Sequence, residues 1–335
     1  MRKKKIKYVT PDASWIQRRK KGDGFIYVND RNKSVRKSEV VRITQLGIPP
    51  AYEEVRICPL NYGHIQAVGR DSKRRKQYIY HPDWVAMQAA TKFQRLFNFG
   101  KALPQIRAQV DQDLRAQKMT KQKILAAMVK IMDLTNIRVG NIAYAKDHQT
   151  YGLTTLRKKH TRFVKNRVLF RFKGKNETPW ELTLAHPSVC KIIKRCAEIP
   201  GHVLFKYEDE AGQPHPICSE DFNAYLAAAS QKEFTAKDFR TWAACRELFQ
   251  HLVAGKKVPR EEQAAYLKEA IKEVAQKMGH TVAICRKSYL HPHLMKSFEK
   301  GTFQIWLAHK NQHDIEKLLL KWWKDHIKTA RVKRA

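Results

Sequence analysis

Acidic residues are scarce in this chain: 31 Asp and Glu stand against 66 Lys and Arg in 335 residues, a formal charge of +35 at pH 7. An excess of that size concentrates polyanions around the folded chain, and duplex nucleic acid is the obvious one. Cysteine is sparse too. Cys58, Cys190, Cys196, Cys218, Cys245 and Cys285 form no Cys-x-x-Cys pair and have no His at zinc-finger spacing, so neither a disulfide framework nor a structural zinc is indicated. No run approaches the ~18 apolar residues of a membrane span, and the basic opening MRKKKIKYVTPDASW lacks the apolar stretch of a signal peptide. A reducing, cytoplasmic compartment and no membrane partner are expected. Also missing are a Walker phosphate loop, a GxSxG elbow, an HExxH pair and any dense carboxylate cluster for magnesium, which argues against ATP and metal chemistry.

What is present is a core's worth of apolar material, 43% hydrophobic and 10% aromatic residues, enough for about two domains. Residues 1–85 read as a small β-rich domain. Gly24 to Val28, Val55 to Cys58 and His64 to Val68 are short β-branched or aromatic runs broken by turn residues. A hairpin is expected from His64 to Tyr80 across GRDSKRRK, with period-two alternation placing Tyr78 and Tyr80 on one face. Tyrosines beside clustered Arg and Lys suit nucleic-acid contact; two ordinary half-buried strand residues are the plainer alternative.

Residues 86–335 read as a larger, mostly helical domain, with apolar residues such as Phe93, Leu96, Ile124, Met128 and Ile131 at three- and four-residue steps. The expected interruption is a small antiparallel sheet over residues 151–184, formed by YGLTTL, RFVKNRVLFRF and WELTL, with Lys175 at a hairpin tip. Thr235 to Asp238 resembles a capping box opening one helix, and Pro259 precedes another with the stripe Leu267, Ile271, Val274 and Met278, which places His280 just past its end. The fold class is therefore α+β.

Arg138, Lys175, Arg240, His280 and Tyr289 sit at structurally marked places, yet in so basic a chain each alone reads as an ordinary surface, capping or packing residue. Their joint pattern carries more. NIRVGN at 136–141, YGLTTLRKKH at 151–160, FKGKN at 172–176, KDFR at 237–240, GHT at 279–281 and KSY at 287–289 resemble, in order and interval, the type IB DNA topoisomerases of the bacterial and poxvirus kind. HIQAVGRDSKRRKQYIYHPDW at 64–84 is similar to that family's DNA-clamping domain.

The resemblance implies a C-shaped clamp that acts as a monomer on double-stranded DNA in the nucleoid and relaxes supercoils without ATP, metal or cofactor. Tyr289 would be the nucleophile, giving a 3′-phosphotyrosyl link and a free 5′-hydroxyl, so that the bond energy is kept for religation. Arg138, Arg240 and His280 would stabilise the charge that develops on the five-coordinate phosphorus. Lys175 would protonate the departing 5′-oxygen, with Lys237 assisting. Gln77, Tyr78 and Tyr80 match positions that touch DNA. Two departures stand out: Asn141 replaces a lysine that helps poxvirus members read a preferred sequence, so site preference does not carry over, and Phe239 replaces the commoner Leu before Arg240.

A tyrosine recombinase uses the same catalytic kit, but resembles its relatives in a His three residues before the second arginine, where this chain has Lys237, and in a helical rather than strand-rich leading domain. A non-catalytic basic DNA-binding protein and a metal-dependent nuclease are the other readings.

Overall fold

Alternating apolar residues build the first part of the chain into a five-stranded sheet. In the computed structural model, which describes residues 5–310 and 313–332, β1 (Ile16–Lys21), β2 (Gly24–Val28), β3 (Glu53–Ile57), β4 (Ile65–Arg70) and β5 (Lys76–Tyr80) form an antiparallel sheet in the order β2-β1-β3-β4-β5. One face buries Ile16, Val55, Ile57 and Ala67 against Ile43 of a helix, α1 (Lys37–Gln45). The other buries Trp15, Cys58, Ile65 and Val68. A pairing shift between Ile65 and Ala67 lets these two residues of one strand serve opposite faces.

Helix α1 was not expected, because its centre, Val40-Val41-Arg42-Ile43, is β-branched and reads equally well as strand. The β4–β5 turn is held by Asp71, whose carboxylate accepts from the backbone of Lys73 and Arg75 (3.0 and 2.9 Å) and from Gln77 Nε2 (2.9 Å). Those bonds, led by Arg75, lower the Asp71 pKa to about 2.

Two compact units divide the chain, Met1–Gln94 and Arg95–Ala335. The division falls within a long helix, α2 (Pro82–Leu114), rather than at residue 85. The second unit is mainly helical: α3 (Lys121–Thr135), α4 (Ile142–Asp147), α5 (Pro187–Glu198), α6 (Ser219–Ser230), α7 (Ala236–Ala254), α8 (Gln263–Lys277), α9 (Val282–Ser288), α10 (Pro292–Glu299), α11 (Thr302–Ala308) and α12 (Ile315–Val332). Three antiparallel strands, β6 (Thr161–Val164), β7 (Arg167–Lys173) and β8 (Pro179–Leu184), lie between α4 and α5, and a short pair, β9 (Lys206–Glu208) and β10 (Pro214–Pro216), lies between α5 and α6.

The small sheet differs from the expected one in its first member. Tyr151 to Leu156 is not a strand but a loop with a single 3-10 turn, Leu153–Thr155, because its amides bond to a distant loop: Leu153 N–H donates to the Arg138 carbonyl (2.7 Å) and Thr154 N–H to that of Val139 (2.6 Å).

Helix α3 is buried along most of its length and packs against α5, α6, α7 and β8. Asp238 opens α7 by accepting from the Thr235 N–H (2.8 Å), completing the capping box, and also pairs with Arg95 (2.9 Å). Leu267, Ile271 and Val274 of α8 are fully buried, each contributing about 2 kcal/mol. Helix α12 packs on α7, where Trp323 stacks on Trp242 with centroids 6.2 Å apart. Its first turn carries Glu316, which accepts from Arg107 (2.6 Å) and from Trp242 Nε1 (3.3 Å).

Candidate active site

Helix ends deliver the polar residues. Helix α3 stops at Asn136, whose left-handed backbone (φ 57°) turns the chain so that Arg138 follows in a loop pinned to residues 151–155. Helix α8 stops in a Schellman motif: Gly279 is left-handed (φ 59°), its N–H donates to Gln276 (3.0 Å), and the His280 N–H donates to Ala275 (2.8 Å). Arg240 lies two turns into none of these loops but in the first turns of α7, buried.

Arg240 ties the helix ends together. Its Nη1 donates to the carbonyl of Asn136 and its Nη2 to that of Met278 (2.7 Å), while Nη2 also lies 3.1 Å from His280 Nε2. A guanidinium only donates, so Nε2 accepts and the proton of the neutral imidazole sits on Nδ1. Arg138 Nη2 donates to the Gly279 carbonyl (3.0 Å). That leaves two buried donors, Arg138 Nη1 and His280 Nδ1, with no partner among the described residues.

Tyr289 caps the end of α9. Its N–H donates to Cys285 (3.0 Å), and its carbonyl accepts from the Cys245 thiol (3.0 Å) on α7. Its ring lies over His280, centroids 4.0 Å apart. Lys175 is exposed at the β7–β8 tip in a turn, Lys175–Glu177, where Asn176 and Glu177 are left-handed. Arg138, Lys175, Lys237, Arg240 and Tyr289 line one open cavity of about 290 Å³. His280 stands at its edge, beneath Tyr289.

Burial lowers the Arg240 guanidinium to about 10, aided by the like charge of Arg138 and opposed by Tyr289; it remains cationic at neutral pH. Arg138 is lowered by burial as well, again opposed by Tyr289. His280 falls to about 3, through burial first and then the charges of Arg240, Arg138 and Lys175, so its ring is neutral.

The structure thus brings together all five residues singled out from the sequence, with Lys237 exposed one turn before Arg240. Gln77, Tyr78 and Tyr80 belong to the other unit. The two rings stack at 5.9 Å and are 40% and 42% exposed, more open than the plainer half-buried reading required, with Lys76 Nζ 5.4 Å from the Tyr78 ring. Gln77 uses its amide nitrogen on Asp71. Asn141 caps α4, accepting from the Tyr144 N–H (3.2 Å), and Phe239 is buried edge-to-face on Phe99 (4.9 Å). The residues not singled out were those acting through backbone: Asn136, Met278, Gly279 and Cys245. Of these only the Gly after an apolar helical stripe leaves a sequence signal, that of a helix stop.

Comparison with known families agrees along nearly the whole chain. The family described as eukaryotic DNA topoisomerase I, catalytic core, matches residues 72–317, and the bacterial DNA topoisomerase IB amino-terminal domain matches residues 24–71. A DNA topoisomerase 1B of Acanthamoeba polyphaga mimivirus is 32% identical over 91% of this chain and 93% of its own length. The DNA topoisomerase 1B of Vaccinia virus (strain Copenhagen) is 23% identical over 70% of this chain and 73% of its own. Among solved structures, a XerH site-specific recombinase in complex with its difH substrate aligns at a TM-score of 0.37 and 13% identity, over 62% of this chain and 51% of that one. With one family covering residues 24–71 and 72–317 in succession and a relative matched almost end to end, the chain belongs to the type IB DNA topoisomerases.

Proposed function

We propose that the chain relaxes supercoiled duplex DNA by cutting and resealing one strand at Tyr289. The phenolic oxygen attacks a backbone phosphorus and gives up its proton to water, while the bond from phosphorus to the 5′-oxygen breaks. The Lys175 ammonium protonates that oxygen and becomes the amine. Religation reverses each transfer, and the nick rotates in between, so no ATP is needed. One observation carries this reading: two buried, unpartnered donors, Arg138 Nη1 and His280 Nδ1, stand with cationic Arg240 beside the Tyr289 ring. Groups left without partners in the free chain suit oxygens that arrive with the substrate, and a phosphoryl centre gains negative charge as it becomes five-coordinate. A phenolate formed on the way lies next to two guanidinium groups, whose charge Tyr289 already favours.

Lys237 assists from the rim of the same cavity. In the other unit, Gln77, Tyr78 and Tyr80 contact the DNA, making it a clamping domain that engages the same duplex. The enzyme acts as a monomer in the nucleoid. No helix among the described residues is long and apolar enough to cross a membrane.

Relaxation of negatively and positively supercoiled plasmid by wild type and Tyr289→Phe, in EDTA without ATP, tests the reading. Only wild type should relax both. Retained DNA binding without relaxation by either protein would return the chain to a binding role, joining of two DNA sites would favour recombination, and metal-dependent nicking by Tyr289→Phe would indicate a nuclease.

A further inference from the structure

The indole of Trp180, on β8, is buried and fills the space between two pieces of backbone that each lead directly into a site residue. On one edge it meets Gly174, which precedes Lys175: a Cβ there would lie 2.6 Å from Trp180 Cδ1 and Nε1. On the other edge it meets Gly279, which precedes His280 and whose carbonyl receives Arg138 Nη2: a Cβ there would lie 2.6 Å from Trp180 Cζ2. Both distances are shorter than side chains tolerate, so both backbones rest on the ring edge to edge. Phe172, paired with Trp180 across the strands, stacks on it almost parallel (5°, centroids 6.3 Å apart) and keeps the plane from tilting.

We infer that Trp180 is a positioning residue for strand cleavage, a rigid spacer that sets how far the Lys175 tip stands from the phosphate-binding group formed by Arg138, Gly279 and His280. The inference rests on the reading of Lys175 as general acid. The tip itself is exposed, and its turn includes two left-handed non-glycine residues, so the hairpin alone is a poor ruler. A fused aromatic ring has no internal torsions, so contact at both edges transmits the position of one backbone to the other. Proton transfer to a leaving oxygen needs heavy-atom separations near hydrogen-bond length, and a displacement of about 1 Å can cost about 100-fold in rate.

The test compares single-turnover cleavage of a duplex oligonucleotide with its ordinary 5′-oxygen leaving group and the same duplex with sulfur in that bridging position. A thiolate departs without being protonated, so the sulfur substrate bypasses the general acid and nothing else. Full-length Trp180→Ala should slow cleavage of the oxygen substrate by about 10-fold or more and recover most of that loss on the sulfur substrate. Lys175→Ala should behave alike, with a loss of about 100-fold or more, whereas Arg240→Ala should stay slow on both.

Gly174→Ala is the second variant. It keeps the core aromatic and an ordinary backbone conformation but pushes the tip off the ring, and should show the same sulfur-restored defect. If Lys175→Ala is restored while Trp180→Ala and Gly174→Ala are slow on both substrates, or match wild type on both, the spacer role is overturned and the general-acid reading stands. If Lys175→Ala is not restored, the general-acid reading fails and the spacer role fails with it.

Discussion

His280 Nε2 lies 3.1 Å from Arg240 Nη2, and because the guanidinium can only donate, that contact fixes which nitrogen of the imidazole carries the proton. The Nδ1–H donor is therefore set by folding rather than by the arrival of DNA.

One consequence is visible in pH. With a pKa near 3, the ring stays neutral across the range where an ordinary histidine titrates, about 6.5. Its NMR ring-proton shift in the DNA-free enzyme should be flat from pH 8 to pH 5; a midpoint close to 6.5 would sink the assignment. The linkage has a definite sign: the unfolded chain binds the proton more readily, so the stability from keeping His280 neutral is complete above about pH 6.5 and is lost as pH falls toward 3.

Arg240 serves two carbonyls and an imidazole at once, in directions that a single ammonium cannot match. Arg240→Lys should lower relaxation by about 100-fold or more, while salt-sensitive DNA binding persists. Wild-type rates from the lysine variant, measured by plasmid relaxation, would show that charge alone is enough there.

Glu316 tests the frame rather than the chemistry. Burial alone would raise its pKa, but Arg107, followed by Trp242 and Arg246, outweighs that and holds it below the usual carboxylate range. Its contribution to stability is therefore full above the ordinary carboxylate pKa and is lost as pH falls through the lowered value. Glu316→Ala should cost ~2 kcal/mol at pH 7 in denaturant melts, and the gap from wild type should narrow in acid. An unchanged gap at low pH would contradict the pairing.

Salt dependence separates kinds of DNA contact. Lys237→Ala removes one cation from the proposed phosphate track, so the slope of log affinity against log salt should fall by about 0.9. Tyr78→Ala and Tyr80→Ala remove uncharged rings and should weaken binding at every salt concentration with the slope unchanged. A slope change from the tyrosine variants, read by filter binding, would mean that Lys76, stacked over Tyr78, had been displaced as well.

Local signals carried much of this into the sequence. The capping box of α7, the stripe of α8 before Gly279 and the hairpin tip at Lys175 are written in neighbouring residues, and the structure has each of them. Helix α1 was hidden because β-branched residues tolerate either conformation when a sheet supplies the packing. Tyr151 to Leu156 looked like a strand because alternation cannot report that its amides go to Arg138 and Val139 rather than to β6. At the site, residue types were legible but contacts were not. Nothing near Trp180 in the sequence indicates that Gly279 rests on its far edge, and a buried strand tryptophan reads simply as core.

The stacking of Trp323 on Trp242 orders events during synthesis as well as in the finished fold. Helix α7, which carries Arg240, leaves the ribosome long before α12, yet one flank of it is covered only when α12 arrives. Until then Trp242 faces water, and Arg107 and Arg246 wait for Glu316. The reactive centre is thus completed late in translation, and nascent chains stalled ahead of Ile315 should depend on chaperones to stay in solution.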